Sequence, residues 1–126
     1  MALKSNTVFV VDDDEAVRDS LRLLLESHGM RVEAHASTEE FAHAYRPEQH
    51  GCLILDQNLQ AGKTGLDFLA SGAPAQFHLP VILVTGRGND ALRAQALRAG
   101  AVAYFEKPVD QDQLMAAIRA ATGRAS

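Results

Sequence analysis

Short apolar runs alternate along this chain with longer segments in which apolar residues recur at helical spacing. Five of the runs have the length and the residue types of β-strands, and they occupy positions 8–11, 31–34, 52–55, 81–84 and 102–105. The second run is the most polar, which is typical of an edge strand. The first, third and fourth are apolar throughout, as expected for central strands of a parallel sheet that is covered on both faces.

The interval after each run has the pattern of a helix. The first interval carries Val17, Leu21, Leu24 and Leu25 on one face, and Gly29 suits the position just after a helix. Further helices are predicted to begin at a capping box at 37–40, near 65, near 91, and after an N-cap at 110. Because such alternation requires crossover connections, the sequence predicts an α/β fold, a doubly wound (βα)5 parallel sheet with helices on both sides.

Composition and charge narrow the class of protein. With 126 residues, 47% hydrophobic and 22% charged, the whole chain, 1–126, is expected to form one domain. No apolar run approaches the roughly 20 residues that span a bilayer, and no secretory signal is readable, so we expect no membrane contact. The single cysteine, Cys52, allows no internal disulfide, which favours a cytoplasmic location. A formal net charge of −4 disfavours direct nucleic-acid binding by this domain.

Polar residues that could carry chemistry follow four of the five predicted strands. In open doubly wound sheets, ligands bind beyond the carboxyl ends of the strands, so we expect these side chains to share one edge of the sheet. They are Asp12, Asp13 and Asp14 after the first strand, Asp56 after the third, Thr85 after the fourth and Lys107 after the fifth.

Carboxylates brought together at one edge need a cation among them. Each pair of ionised carboxylates costs about 4 kcal/mol at a separation of about 4 Å and an effective dielectric constant near 20. A hard, partly hydrated divalent cation such as Mg²⁺ suits an all-oxygen site, and Lys107 adds a fixed positive charge. This set of groups is suited to a phosphoryl group accepted by Asp56, with Thr85 donating its hydroxyl to one of the transferring oxygens.

Four motifs, taken in order and with their spacing, resemble the receiver domains of two-component response regulators, the CheY-like superfamily. The motifs are Val10-Val11-Asp12-Asp13-Asp14-Glu15-x-x-Arg18, Leu53-Ile54-Leu55-Asp56, Val84-Thr85-Gly86 and Tyr104-Phe105-Glu106-Lys107-Pro108. The resemblance covers nearly the whole chain and implies a flavodoxin-like sheet with strand order 2-1-3-4-5. It also implies a phosphoprotein whose donor is a histidine kinase or a phosphotransfer protein, with a possible homodimer on phosphorylation, and no enzymatic activity beyond its own phosphorylation and dephosphorylation.

The same resemblance implies roles for individual residues. Asp56 matches the phosphoacceptor and belongs to the metal site, Asp13 would contact Mg²⁺ directly, and Asp12 would act largely through water. The backbone carbonyl of Asn58 would be a further Mg²⁺ ligand, and Lys107 would assist the chemistry. Lys107 precedes Pro108 as in the family's Lys-Pro step, which is often a cis peptide.

Thr85 and Tyr104 resemble the family's switch pair. By that resemblance, Thr85 assists the chemistry, and a shift of its hydroxyl together with rotation of the Tyr104 ring reports phosphorylation to the face formed by the fourth helix, the fifth strand and the fifth helix. Thr85-Gly86 and the stretch from Asp14 to Leu21 also look like those of receivers attached to helix-turn-helix output domains.

The segment after Asp56 departs from the family pattern. Gln60 stands where receivers usually have a proline, and the turn that ends at Gly65 is one residue longer. Loss of the fixed φ of proline predicts a more flexible loop. This departure leaves open a degenerate receiver that acts as an unphosphorylated interaction domain.

Two enzyme classes are weighed against the receiver. Gly86-Arg87-Gly88-Asn89-Asp90-Ala91, followed by Glu106, superficially matches a dinucleotide fingerprint, but that fingerprint belongs at the first strand of a βαβαβ half. An aspartyl-phosphate hydrolase of the haloacid dehalogenase kind has a second acid two residues after its nucleophile, where this chain has Asn58. Both classes are therefore disfavoured.

The remaining polar residues have simpler interpretations. Asp14 and Glu15 are expected to be acids at the start of a helix, where the helix dipole favours negative charge. Cys52 is expected to be a small core residue. The five histidines lack metal-ligand spacing and are expected at the surface; they are His28, His35, His43, His50 and His78.

Overall fold

The computed structural model describes residues 6–46, 48–59, 62–72 and 77–122. Its strands are β1 (Asn6–Val11), β2 (Arg31–His35), β3 (His50–Asp56), β4 (Val81–Thr85) and β5 (Ala103–Glu106). A helix follows each strand; these helices are α1 (Glu15–Ser27), α2 (Thr38–Ala44), α3 (Gly65–Ala70), α4 (Asp90–Arg98) and α5 (Gln111–Thr122).

The five strands form one parallel sheet in the order β2-β1-β3-β4-β5. The predicted doubly wound fold and its strand order 2-1-3-4-5 are therefore confirmed, as is the placement of the polar second strand at an edge. Register brings the carboxyl ends of the strands together, because Val11 pairs with Leu55, Asp56 with Val84 and Thr85 with Glu106. The residues just beyond these ends share one edge of the sheet.

Side chains from alternate positions of the strands build a core on each face of the sheet. On one face, Phe9, Leu53 and Leu83 pack with Phe41 of α2 and Ala96 of α4. The opposite face is covered by α1 and α5; its buried residues include Val10, Cys52, Ile54, Leu25, Leu114 and Ile118. The central strands are buried from Thr7 in β1, Cys52 in β3 and Val81 in β4 to their carboxyl ends, which explains the apolar runs in their sequences.

Helix starts are set by side-chain caps. The carboxylate of Asp14 accepts the N–H groups of Ala16 and Val17 at 2.9 and 3.2 Å, so this predicted helix-start acid is the N-cap of α1. Ser37 accepts the N–H of Glu40 at 3.1 Å. The Glu40 carboxylate accepts the N–H of Ala36, one residue before the N-cap, rather than closing a strict capping box.

One expectation about the histidines is wrong. His28, His43, His50 and His78 are exposed, but the His35 side chain is only 14% exposed. His35 is the last residue of β2 and lies on the face covered by α2, where its ring packs edge-on against Phe41. In the part of the chain that is described, no helix has the length and apolar character needed to cross a membrane.

Candidate functional site

Three carboxylates from two strand ends converge at the carboxyl edge of the sheet. Asp12 and Asp13 follow β1 directly and Asp56 is the last residue of β3. One oxygen from each of the three lies within 4.8 Å of the others. Asp12 and Asp56 are each 4% exposed, whereas Asp13 is exposed. The predicted convergence of these three acids is therefore observed, while Asp14 is used as a helix cap.

Lys107 brings its ammonium to the same place from the end of β5. Its N–H donates to the carbonyl of Thr85 at 2.8 Å, which continues the pairing of β5 with β4 beyond the strand. Its Nζ lies 2.8 Å from Oδ1 of Asp56 and 3.4 Å from Oδ2 of Asp12. The Lys107-Pro108 peptide is cis, as the resemblance implied. One ammonium thus contacts both buried carboxylates.

The environment shifts the ionisation of Asp56 and of Lys107. Burial raises the pKa of the Asp56 carboxyl above its ordinary value, and the negative charge of Asp12 acts in the same direction. Lys107 and the N–H of Asn58 oppose this shift without cancelling it. Burial would lower the pKa of Lys107, but the interactions with Asp56 and Asp12 outweigh it and raise that pKa, so the amine stays protonated.

The donor set fits a divalent cation. Oδ1 of Asp56 is buried and accepts no well-aligned hydrogen bond from the described residues, although the Lys107 ammonium is near. When the three carboxylates are ionised, the ammonium of Lys107 alone balances one of their three negative charges. Carboxylate oxygens are ligands that Mg²⁺ prefers. A partly hydrated Mg²⁺ therefore matches both the charge and the chemistry of this cluster.

Asn58 contacts the cluster through its backbone. Its N–H donates to Oδ2 of Asp56 at 3.1 Å, and Asn58 pairs with Thr64 across the loop in an antiparallel bridge. The role of its carbonyl as a metal ligand stays a prediction. Gln60, the residue at the proline position, lies outside the described residues.

The two predicted switch residues lie on neighbouring strands. Thr85 is fully buried at the end of β4, and its hydroxyl oxygen accepts the N–H of Arg87 at 3.1 Å. Tyr104 is 7% exposed, and its hydroxyl donates to a carboxylate oxygen of Glu106 at 3.4 Å. The guanidinium of Arg93 lies over the Tyr104 ring, 5.8 Å from its centroid. Tyr104 is thus held inward by charged groups from α4 and β5.

Two residues near the cluster have roles that the sequence interpretation missed. Nη1 of Arg18 donates to the carbonyl of Asp12 at 2.7 Å, whereas the sequence motif that contains Arg18 assigned it no role. Gln57 accepts the N–H of Gly65 on its carbonyl at 2.9 Å and the N–H of Leu66 on its side chain at 2.8 Å. The position of Arg18 four residues after a helix cap was the available signal, because one helical turn returns it to the loop.

A groove of about 480 Å³ opens beside the cluster between α1 and α5. Its lining includes apolar residues of the central strands as well as Asp12, Asp56 and Lys107. The glycine-containing loop after β4 is not part of the lining of this groove. Gly88 of that loop instead packs against Tyr104 and Glu106.

Comparison with known proteins agrees with this geometry. The sequence matches the family described as the response regulator receiver domain over residues 8–119. It is 40% identical over 123 residues to the transcriptional regulatory protein FixJ of Azorhizobium caulinodans, a match that covers 98% of this chain and 58% of FixJ. It is 38% identical over 117 residues to nodulation protein W of Bradyrhizobium diazoefficiens, covering 93% of this chain and 51% of that protein.

Solved structures support the same assignment. The crystal structure of FixJ-N superposes with a TM-score of 0.84 at 31% identity, covering 98% of both chains. The structure of the response regulator StyR gives a TM-score of 0.83 at 36% identity and covers 94% of this chain and 59% of StyR. The chain spans about half the length of the curated relatives it matches. By its fold, its acidic cluster and its sequence, the chain belongs to the response regulator receiver domains of two-component systems.

Proposed function

We propose that this domain accepts a phosphoryl group on Asp56 from a histidine kinase or a phosphotransfer protein, with Mg²⁺ held by Asp12, Asp13, Asp56 and the carbonyl of Asn58. The observation that carries the proposal is the convergence of three carboxylates within 4.8 Å of one another, two of which contact the ammonium of Lys107. In a cluster that served only to stabilise the fold, three like charges at one edge of the sheet would be unfavourable, because their repulsion opposes folding.

The proposed phosphoryl transfer balances between Asp56 and the phosphorylated imidazole of the donor. An oxygen of Asp56 attacks the phosphorus of a phosphorylated imidazole, so a P–O bond forms while the P–N bond breaks and the imidazole nitrogen keeps the electron pair. When bound, Mg²⁺ would supply positive charge beside the transferring oxygens. Lys107 stays protonated and balances further charge. Within the described residues the oxygen of the Thr85 hydroxyl accepts the N–H of Arg87, so its hydrogen can be donated to a transferring oxygen.

The proposed output is a shift between two conformations. A Thr85 hydroxyl drawn towards a phosphoryl oxygen would give up its bond to the N–H of Arg87 and so change the loop before α4. Tyr104 adjoins that loop through Gly88, so its ring would respond and alter the face formed by α4, β5 and α5. We propose that this face then changes its affinity for a partner, including a second copy of the chain.

The role is proposed to be signalling in the cytoplasm, without turnover of an exogenous substrate. Asn58 occupies the place of the second acid that a haloacid dehalogenase would need, and its N–H donates to Asp56. FixJ is named a transcriptional regulatory protein, and we propose that the signal from this domain likewise serves an output carried outside it. The domain itself would not contact nucleic acid, given its net charge of −4.

Uptake of a phosphoryl group or its mimic tests the proposal. We expect incubation with acetyl phosphate and MgCl2 to add one phosphoryl group, detected by intact mass, and beryllofluoride to change the amide spectrum around Thr85 and Tyr104. Asp56→Asn should abolish both signals. Asp14→Asn, which alters a neighbouring acid that only caps α1, should retain both. Failure of the wild-type chain to take up either reagent would favour a degenerate receiver, and steady phosphate release from small esters would favour a hydrolase.

A further inference from the structure

The guanidinium of Arg18 reaches back from α1 to the acidic loop. Its Nη1 donates to the backbone carbonyl of Asp12 at 2.7 Å, and the bond is partly buried. Arg18 lies one helical turn beyond Asp14, the N-cap of α1. A short, charge-assisted hydrogen bond of this kind is among the stronger ones in proteins. The start of α1 and the end of β1 are therefore connected by a side chain as well as by the chain itself.

The other polar groups of Asp12 are also fixed. Its N–H donates to the carbonyl of His35 at 3.2 Å, and one carboxylate oxygen accepts the N–H of Asp14 at 2.9 Å. The other carboxylate oxygen lies 3.4 Å from the ammonium of Lys107. These contacts involve every polar group of Asp12 except its carbonyl, and the bond from Arg18 holds that carbonyl. The carbonyl belongs to the planar peptide that links Asp12 to Asp13.

Asp13 has no comparable support of its own. Its side chain is exposed, and its carboxylate makes no hydrogen bond or ion pair within the described ranges. Its place within the 4.8 Å cluster is therefore set by the backbone on which it stands. Because a peptide group is planar, fixing the Asp12 carbonyl fixes the direction in which the chain continues to Asp13.

We propose that Arg18 is a positioning residue for the divalent cation, which orients the Asp12–Asp13 peptide so that the carboxylates of Asp12 and Asp13 converge. This inference rests on the proposed function, since it concerns the cation that assists phosphoryl transfer. Arg18 touches neither the cation nor the phosphoryl group; it acts through the backbone.

A positioning role and a purely electrostatic role of Arg18 predict opposite changes in Mg²⁺ affinity. Arg18 carries a positive charge near a cation site, so a variant without that charge should bind Mg²⁺ more tightly if charge is all that matters. If Arg18 orients the ligands, the same variant should bind Mg²⁺ more weakly, because the carboxylates are no longer held together. The sign of the change in Mg²⁺ affinity therefore distinguishes the two.

The experiment measures the dissociation constant of MgCl2 by isothermal titration calorimetry on the full chain. Arg18→Met keeps the apolar stem of the side chain and removes the guanidinium. Arg18→Lys keeps the charge and a donor. Arg22→Met is the matched control, because it removes a positive charge one turn further along α1. The buried Nε of Arg22 has no hydrogen-bond partner in the described parts of the chain. Circular dichroism confirms that each variant is folded.

We expect Arg18→Met to weaken Mg²⁺ binding roughly fivefold or more, the loss that corresponds to one hydrogen bond. Arg18→Lys should recover most of that loss, and Arg22→Met should stay within about twofold of the wild type. If Arg18→Met binds Mg²⁺ as tightly as the wild type or more tightly, while Asp13→Asn abolishes the binding seen in the wild type, the positioning role alone is overturned. Absence of Mg²⁺ binding in the wild type would overturn the proposed function together with it.

Discussion

The hydroxyl of Tyr104 occupies the space that a side chain at position 88 would need. A methyl group on Gly88 would overlap that hydroxyl and would also meet the carboxylate of Glu106. Gly88 lies in the loop between β4 and α4, three residues after Thr85. The absence of a side chain there thus permits the buried position of the tyrosine ring.

We expect Gly88→Ala to expel Tyr104 from this position. Burial raises the pKa of the Tyr104 phenol above its ordinary value of 10, and the charge of Glu106 adds to the effect. In Gly88→Ala the phenol should titrate closer to 10, because the ring becomes solvated. The titration is followed by ultraviolet absorbance in a Tyr45→Phe background. The chain has two tyrosines, so this substitution leaves Tyr104 as the one that absorbs.

Gly86→Ala is the matched control for this variant. Gly86 lies in the same loop, and a methyl group there would meet nothing within 4 Å. The Tyr104 pKa should therefore be unchanged in Gly86→Ala. An unaltered Tyr104 titration in Gly88→Ala would show that the loop yields instead of the ring.

Lys107 should stabilise the fold in the absence of a metal ion. Its ammonium contacts two buried carboxylates, so Lys107→Met leaves their repulsion unbalanced. We expect the free energy of unfolding to fall by about 1–2 kcal/mol, less than for a fully buried pair because the lysine side chain is partly exposed. MgCl2 should restore most of the lost stability, because a cation replaces the ammonium.

Urea unfolding with and without MgCl2 measures both effects. Lys63→Met supplies the comparison, since Lys63 pairs with Glu39 at the exposed surface. That variant should change the free energy of unfolding by no more than about 0.5 kcal/mol, with no response to MgCl2 beyond that of the wild type. Equal stability of Lys107→Met and the wild type without metal would contradict the assigned charge balance.

Most of the site could be predicted from sequence because its residues adjoin strongly patterned strands. Uninterrupted apolar runs indicate central parallel strands, and the residues that follow such strands must lie at one edge. Asp56 ends β3 and Lys107 follows β5 directly, so their convergence required only the parallel order. The resemblance then supplied roles that periodicity does not carry.

The rest depends on tertiary contacts with weak local signals. The burial of His35 follows from the position of Phe41, which is separated from it by the start of a helix. The missing proline predicts a more flexible loop after Asp56, which stays a prediction; the ends of the loop are held by hydrogen bonds of Gly65 to Gln57 and of Leu59 to Lys63, at 2.9 and 3.0 Å. Both bonds join backbone groups, so no side-chain pattern in the sequence could indicate them.

The thiol of Cys52 should be inert in the folded protein. Cys52 is fully buried in β3, and burial raises its pKa to about 12 from 9.0. We expect no reaction with a disulfide reagent at about pH 8, where the folded thiol is protonated, and one equivalent of reaction in urea. Because the folded pKa lies above the unfolded one, this thiol lowers folding stability only as pH rises above 9. Prompt stoichiometric labelling under native conditions would disprove the buried placement.

Gln57 should protect the first turn of α3. Its side-chain oxygen accepts the N–H of Leu66 at 2.8 Å, whereas the N–H of Asp67 in the same turn is capped by Thr64 at 3.0 Å. Gln57→Met keeps the size of the side chain but removes the acceptor, which should cost about 1 kcal/mol and speed amide exchange at Leu66 by roughly fivefold. Exchange at Asp67 is the internal control, since its cap is intact in the variant. Both amides are followed by hydrogen exchange in NMR spectra. Equal acceleration at Leu66 and Asp67 would mean that the whole turn opens and that Gln57 does not act on Leu66 alone.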